Sequence, residues 1–168
     1  MISKKMEKAL NEQINKELYS AYLYLAMAAQ AENMGLKGFA NWFTVQFHEE
    51  QGHALKFYEY VNEQGGRVEL AAIKQPQTEF RSVLSMFEQT YKHEQFVTAS
   101  IHALVDLAIK EGDHATRSML TWFVDEQVEE EANDLEILGK LKMIGSSGSG
   151  LLYLDGKLAK RKLGGGED

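Results

Sequence analysis

GGRVELAAIKQPQT, residues 65–78, decides how this chain folds. The stretch shows no helical period and holds the chain's only proline, Pro76. On both sides the sequence is rich in good helix formers and repeats its apolar residues every three or four positions. Before it, one stripe reads Leu10, Ile14, Glu17, Ala21, Tyr24, Ala28, and a second reads Phe39, Phe43, Gln46, Glu50, His53, Phe57, Tyr60. After it come Val83, Phe87, Thr90, Glu94, Val97, Ile101, Leu104, Ala108, then Leu120, Phe123, Gln127, Glu130, Asp134, Ile137, Leu141 and Ile144. These patterns predict helices over 4–33, 37–64, 79–110 and 114–143, with Ser3 and Asp113 as N-caps.

The links between the first two helices and between the last two are short, so each pair forms an antiparallel hairpin. The middle link is different. Fourteen extended residues span roughly 45 Å, whereas a helix of about 28 residues is roughly 42 Å long. The link can run the whole length of the bundle and leave the second and third helices parallel. The expectation is an all-α, four-helix bundle with one long crossover. Gly145 to Gly150 is rich in glycine and serine and reads as a hinge. Leu151 to Leu163 is patterned as a short fifth helix. Residues 1–163 are expected to form one domain, with 164–168 as a flexible tail.

Composition narrows the function. The chain has 168 residues, 44% of them apolar, and a net charge of −7. That balance disfavours a general nucleic-acid binder, which would present a basic face. No run of about 18 apolar residues exists to cross a membrane. Met1 to Lys5 lead straight into a charged amphipathic pattern without an apolar signal core. The absence of cysteine removes disulfides, iron–sulfur clusters, thiolate zinc sites and cysteine nucleophiles. It is compatible with a reducing cytoplasm.

Four carboxylates break the apolar stripes: Glu17, Glu50, Glu94 and Glu130. Each occupies a position where periodicity asks for a core residue. An unpartnered buried carboxylate costs several kcal/mol or takes up a proton, so four inward-facing ones need a shared cation. His53 shares a helix face with Glu50 at i+3, and Gln127 does the same for Glu130 at i−3. Hard oxygen ligands with one imidazole suit iron or manganese. Tyr24, two turns after Glu17, is either a core tyrosine with a bonded hydroxyl or a group that hydrogen-bonds the cluster or donates an electron. Glu49, Glu126 and Glu129 flank the seam and either form a solvated face or hold a third cation. Trp122 reads as core packing, with electron donation as the alternative. His48, His93, His102 and His114 fit no ligand spacing and read mostly as surface residues.

In order and spacing these residues resemble the bacterial non-haem ferritins. The likeness runs from Asn11–Glu17 to Gly150–Asp155, and Phe123–Glu131 is its most specific stretch. Ferritin-like di-iron bundles take one Glu from each of two helices and Glu-x-x-His from the other two. Here the fourth helix departs, offering Gln127-x-x-Glu130. The resemblance implies a ferritin-like bundle with a short C-terminal helix, 24 copies forming a hollow shell, and that helix lining the four-fold axes. It implies a ferroxidase pair, with Glu17, Glu50 and His53 at one iron and Glu50, Glu94 and Glu130 at the other. Glu50 bridges and Gln127 assists. A third iron would use Glu49, Glu126, Glu129 and Glu130. Iron(II) would be oxidised by oxygen or peroxide and stored as ferric mineral in a cytoplasmic protein. Gln51 stands where bacterioferritins carry a haem-ligating methionine, so no haem is expected. Two rivals stay open on the residues alone: a di-iron oxidase or peroxidase without storage, and a non-enzymatic helical scaffold.

Overall fold

A computed structural model describes residues 1–164. It contains five helices among those residues: α1 Lys4–Asn33, α2 Lys37–Glu63, α3 Val83–Glu111, α4 His114–Ile144 and α5 Gly148–Leu158. None of the described helices is long and apolar enough to cross a membrane. The expected tail lies outside the described residues from position 165 onward.

Local chemistry sets the boundaries. Ser3 Oγ accepts from the Met6 N–H at 3.0 Å and starts α1. Gly35, at φ +74°, lets the chain leave α1 in a left-handed turn that a side chain would oppose. The expected start of α3 at Glu79 is displaced to Val83. Ser82 and Ser85 form a reciprocal capping box at 3.1 Å in each direction, which fixes the first turn there. Gly112 closes α3 in the left-handed region, and Asp113 caps α4 through the Thr116 N–H at 3.0 Å. The fifth helix begins three residues earlier and ends five earlier than its pattern predicts. Ser147 caps onto the Gly150 N–H at 3.2 Å, drawing two hinge glycines into the first turn.

α1 packs against α2 and α3 against α4 as the two hairpins. The crossover returns along α1, where it is held by residues one turn apart. Glu7 accepts from the Arg67 N–H at 3.1 Å, and Asn11 both accepts from Glu69 and donates to the Arg67 carbonyl. Asn15 donates to the carbonyls of Ala71 and Ala72 at 3.3 Å. These bonds satisfy loop backbone groups that have no ladder of their own. They leave α2 and α3 parallel, with Trp42 and Phe43 tilted against Phe87 at 4.7 and 5.0 Å between ring centroids.

The core is two apolar clusters with a polar layer between them. One cluster gathers Leu23, Met27, Phe39, Phe43, Met86, Phe87, Ile137 and Leu141. The other gathers Met6, Leu10, Ile14, Phe57, Ile101, Leu120 and Phe123, with Phe57 and Phe123 stacked at 4.0 Å. Between them Gln13, Glu17, Gln46, Glu50, His53, Glu94, Gln127, Glu130 and Asp134 are buried. α5 docks on α2 through Asp155, whose Oδ1 accepts from the Gly38 and Phe39 N–H groups at 2.8 and 3.0 Å. Leu36 offers no side-chain cap to α2, so an α5 carboxylate caps it instead.

Candidate metal centre

All four helices of the bundle contribute to the polar layer. α1 presents Glu17, α2 presents Glu50 and His53, α3 presents Glu94, and α4 presents Gln127 and Glu130; all are buried. Glu17, Glu50 and His53 each bring a ligand atom within 4.8 Å of the other two. His53, Glu126 and Glu130 make a second triple within the same limit. Glu94 and Glu129 belong to neither triple.

Two oxygens in the first triple are without hydrogen-bond partners: Glu17 Oε2 and Glu50 Oε2. The latter lies 3.5 Å from His53 Nδ1, a charge contact that falls short of a hydrogen bond. A carboxylate oxygen stripped of water and given no donor is costly. Two of them beside one imidazole form a donor set that a divalent cation completes, and that oxygen-rich set fits iron.

Four other oxygens of the layer are held by amides or a hydroxyl. Gln13 donates to Glu17 Oε1 at 2.7 Å, and Gln13 is held in turn by Ser100. Gln46 donates to Glu130 Oε2 at 2.9 Å. Glu94 accepts from the Tyr24 hydroxyl on one oxygen and from Gln127 Nε2 on the other at 3.0 Å. Amides fix a carboxylate's rotamer without bringing a positive charge that would compete with a cation, so the carboxylates are oriented for one. Tyr24 and Gln127 are therefore placed to act on Glu94.

The electrostatics follow from this crowding. Burial pushes Glu50 well above the carboxylate range, and the charges of Glu94 and Glu17 add to it against the pull of His53. Burial also raises Glu94, although donation from Tyr24 and Gln127 opposes it. Glu130 is pushed up to about 8 by burial and the charge of Glu94. Burial alone would lower His53, but its close contacts with the Glu126 and Glu50 carboxylates outweigh that and raise it to about 11. Burial and the neighbouring carboxylates hold the Tyr24 phenol well above its usual value. Without a cation the layer holds protons that a metal would replace.

A second acidic group opens beside the first. Glu49, Glu126, Glu129 and Glu130 line one cavity of about 540 Å³ between α2, α4 and α5. Glu129 is exposed and Glu126 half-buried, with His53 Nε2 3.8 Å from Glu126 Oε1. Arg161, just beyond α5, reaches Glu49 Oε2 at 2.7 Å in the same cavity.

Trp122 is not the core residue its position implies. It is 39% exposed, lies edge-on to His53 with centroids 5.4 Å apart, and carries the Lys56 ammonium 3.4 Å from its ring centroid. The aromatic layer at Phe57 and Phe123 fills the space first, leaving Trp122 outside as a lid on His53. His48, His102 and His114 are exposed as expected, whereas His93 is half-buried and bonds Ser20 Oγ at 2.7 Å. Burial lowers its pKa to about 4.

Sequence reasoning passed over four functional neighbours. Gln13 stands one turn before Glu17, and Gln46 one turn before Glu50; a polar residue one turn from a buried carboxylate is the signal for both. Asp134, one turn after Glu130, is fully buried with both oxygens unpartnered. Burial, with the charges of Glu94 and Glu130, raises it to about 9. Arg161 had no local signal.

Known proteins resemble this chain closely over nearly all its length. Residues 7–144 match the family model of the ferritin-like domain. The bacterial non-heme ferritin of Campylobacter jejuni is 45% identical over 155 residues, covering 92% of this chain and 93% of that protein. That of Staphylococcus saprophyticus is 44% identical and covers 96% of each chain. Among solved structures, an open pore ferritin from the archaeon Archaeoglobus fulgidus superposes with a TM-score of 0.96 at 52% identity, covering 96% of this chain and all of that one. A closed form engineered from the same ferritin gives the same score and identity, covering 97% and 99%. A chain with this bundle, this polar layer and these relatives belongs to the ferritin family.

Proposed function

We propose that this protein is an iron-storage ferroxidase, with iron(II) as its substrate. The observation that carries the reading is the pair of unpartnered oxygens, Glu17 Oε2 and Glu50 Oε2, buried beside His53. Glu17, Glu50 and His53 would receive one iron, and Glu50, Glu94 and Glu130 the other, with Glu50 shared. Gln127 and Tyr24 hold Glu94, and Gln46 holds Glu130.

The chemistry follows from the charge of the site. Anionic oxygen ligands stabilise iron(III), the harder ion, more than iron(II), so loss of an electron becomes easier. Two iron(II) ions supply the two electrons that reduce oxygen to peroxide with uptake of two protons, or peroxide to two waters. The protons that Glu50, Glu94, Glu130 and His53 give up on binding iron are released at the site that consumes them. Glu49, Glu126 and Glu129, with Glu130, form a third iron station on the way out.

Storage requires a shell, and 24 copies of a cytoplasmic bundle, each using residues 1–163 as one domain, would build it. Support comes from the relatives' descriptions as ferritins in open pore and closed forms. No haem is required by the donor set. Oxygen uptake after iron(II) addition tests the catalytic part, comparing the native protein with Glu50→Ala and His53→Ala. Equal rates in all three would refute it. Iron per shell tests storage: a capacity of only two irons per chain would leave an oxidase without storage.

A further inference from the structure

Arg161 is the residue that the proposed chemistry leaves unused. Its guanidinium donates to Glu49 Oε2 at 2.7 Å and to Gln46 Oε1, and stacks 4.7 Å from the centre of the Trp42 ring. The backbone that carries it is pinned by Asn41, whose amide donates to the carbonyls of Leu158 and Arg161 at 3.1 Å. Arg161 and Glu49 are both mostly covered, at 18% and 22% side-chain exposure, so this pair is less screened than a surface bridge. Arg161 therefore brings a fixed positive charge into the cavity lined by Glu49, Glu126, Glu129 and Glu130.

We propose that Arg161 competes with a divalent cation for Glu49 and so sets the affinity of the third site. This rests on the third-site reading given above. A guanidinium held by Glu49, Gln46 and the Trp42 carbonyl and a divalent ion cannot both take the same carboxylate oxygen at bonding distance. A cation that binds there must break the Arg161–Glu49 bond or accept Glu49 through its other oxygen, against the repulsion of the nearby guanidinium.

The same residue ties the third site to the paired site. Gln46 accepts from Arg161 on its oxygen, which turns its Nε2 toward Glu130 Oε2 at 2.9 Å. Once Arg161 leaves, the Gln46 amide is free to rotate, and Glu130 loses the donor that fixes it. Cation arrival at Glu49 thereby loosens Glu130, the ligand that the two sites share. Competition at Glu49 thus favours passage outward from the pair over permanent occupation of the third position.

Calorimetric titration of the assembled, metal-stripped protein with zinc(II), which has no redox chemistry here, tests this directly. Arg161→Gln should tighten the weakest class of zinc site about fivefold, the equivalent of one partly covered ion pair. Arg161→Lys keeps the charge and should stay near the native affinity. Unchanged or weaker binding in Arg161→Gln overturns the proposal. So does equal tightening in both variants, because Lys loses the fork and the stacking on Trp42 and would then mimic a purely structural loosening. Glu129→Gln serves as the control on the underlying reading: it should weaken that same class. If it leaves the class unchanged, the third site is not here, and the reading falls together with the competition built on it.

Discussion

Gln127 and Glu94 are joined twice across the α3–α4 hairpin. The Gln127 amide donates to Glu94 Oε2 at 3.0 Å and to the Glu94 backbone carbonyl at 3.3 Å. The residue that breaks the Glu-x-x-His pattern of α4 thus serves as a clamp on a carboxylate of α3. Gln127→Leu fits the space but removes the donor, leaving Glu94 held only by Tyr24. Loss of such an outer partner weakens metal binding about tenfold or more. The expected outcome is a weaker second metal with the first unchanged, read by anaerobic iron(II) titration. Equal loss at both positions would contradict the clamp.

The fourth helix separates two roles. Glu130 is buried in the polar layer and also lines the acidic cavity, whereas Glu129 is exposed and lines only the cavity. Glu130→Ala should slow the fast phase of iron oxidation by weakening the second iron. Glu129→Ala should spare that phase and change only the slower steps. Stopped-flow absorbance distinguishes them, and identical defects in the two variants would count against the division.

Proton release measures how strongly the layer depends on a cation. Near neutral pH His53, raised to about 11, and Glu130, raised to about 8, both carry protons in the metal-free protein. Each must lose its proton to become a ligand. Filling the paired site at pH 7 should therefore release about two protons or more per chain, seen as a dependence of the calorimetric heat on buffer ionisation enthalpy. A heat independent of buffer would show that the ligands were already deprotonated.

Asp134 has no partner and should cost the metal-free protein stability. Its folded pKa, about 9, lies far above the ordinary aspartate value of 3.8. The native state therefore holds a proton that the unfolded chain gives up, and stability falls as pH rises from about 4 to about 9. Asp134→Leu removes that loss and suits the apolar cluster beginning at Ile137. The variant should gain about 2–4 kcal/mol at pH 7 and less at pH 5. Denaturant unfolding at the two pH values checks it; a gain that does not grow with pH would sink the assignment.

Most of the architecture was legible because the signals were periodic or local. The stripes through Leu10, Phe43, Phe87 and Phe123 set the helices, and the length of the crossover set the direction of α3. The inward carboxylates were legible because each interrupts such a stripe. Boundaries failed where a cap outweighed the pattern, as with Ser82 ahead of α3 and Ser147 ahead of α5. Trp122 failed because helical spacing does not say which of two neighbouring aromatics fills the core. Arg161 was out of reach for a deeper reason: its partner Glu49 is 112 positions away, and only the docking of α5 brings them together.

That docking is itself open to test. Asp155 caps α2 from α5, and a Cβ on Gly38 would fall 1.7 Å from the Asp155 carbonyl oxygen. Gly38→Ala must therefore push α5 off its seat, whereas Asp155→Ala only removes the cap, worth about 1 kcal/mol. Cleavage between Gly145 and Gly150 under limited proteolysis should accelerate strongly in the first variant and mildly in the second. Native-like resistance in Gly38→Ala would show that α5 is not held this way.

The central claim is that this polar layer binds iron as a pair, and anomalous diffraction from crystals soaked anaerobically in iron(II) tests it most directly. Data on both sides of the iron absorption edge should place one peak among Glu17, Glu50 and His53 and a second among Glu50, Glu94 and Glu130. Iron found only in the outer cavity at Glu49, Glu126 and Glu129, with the buried layer empty, would contradict it.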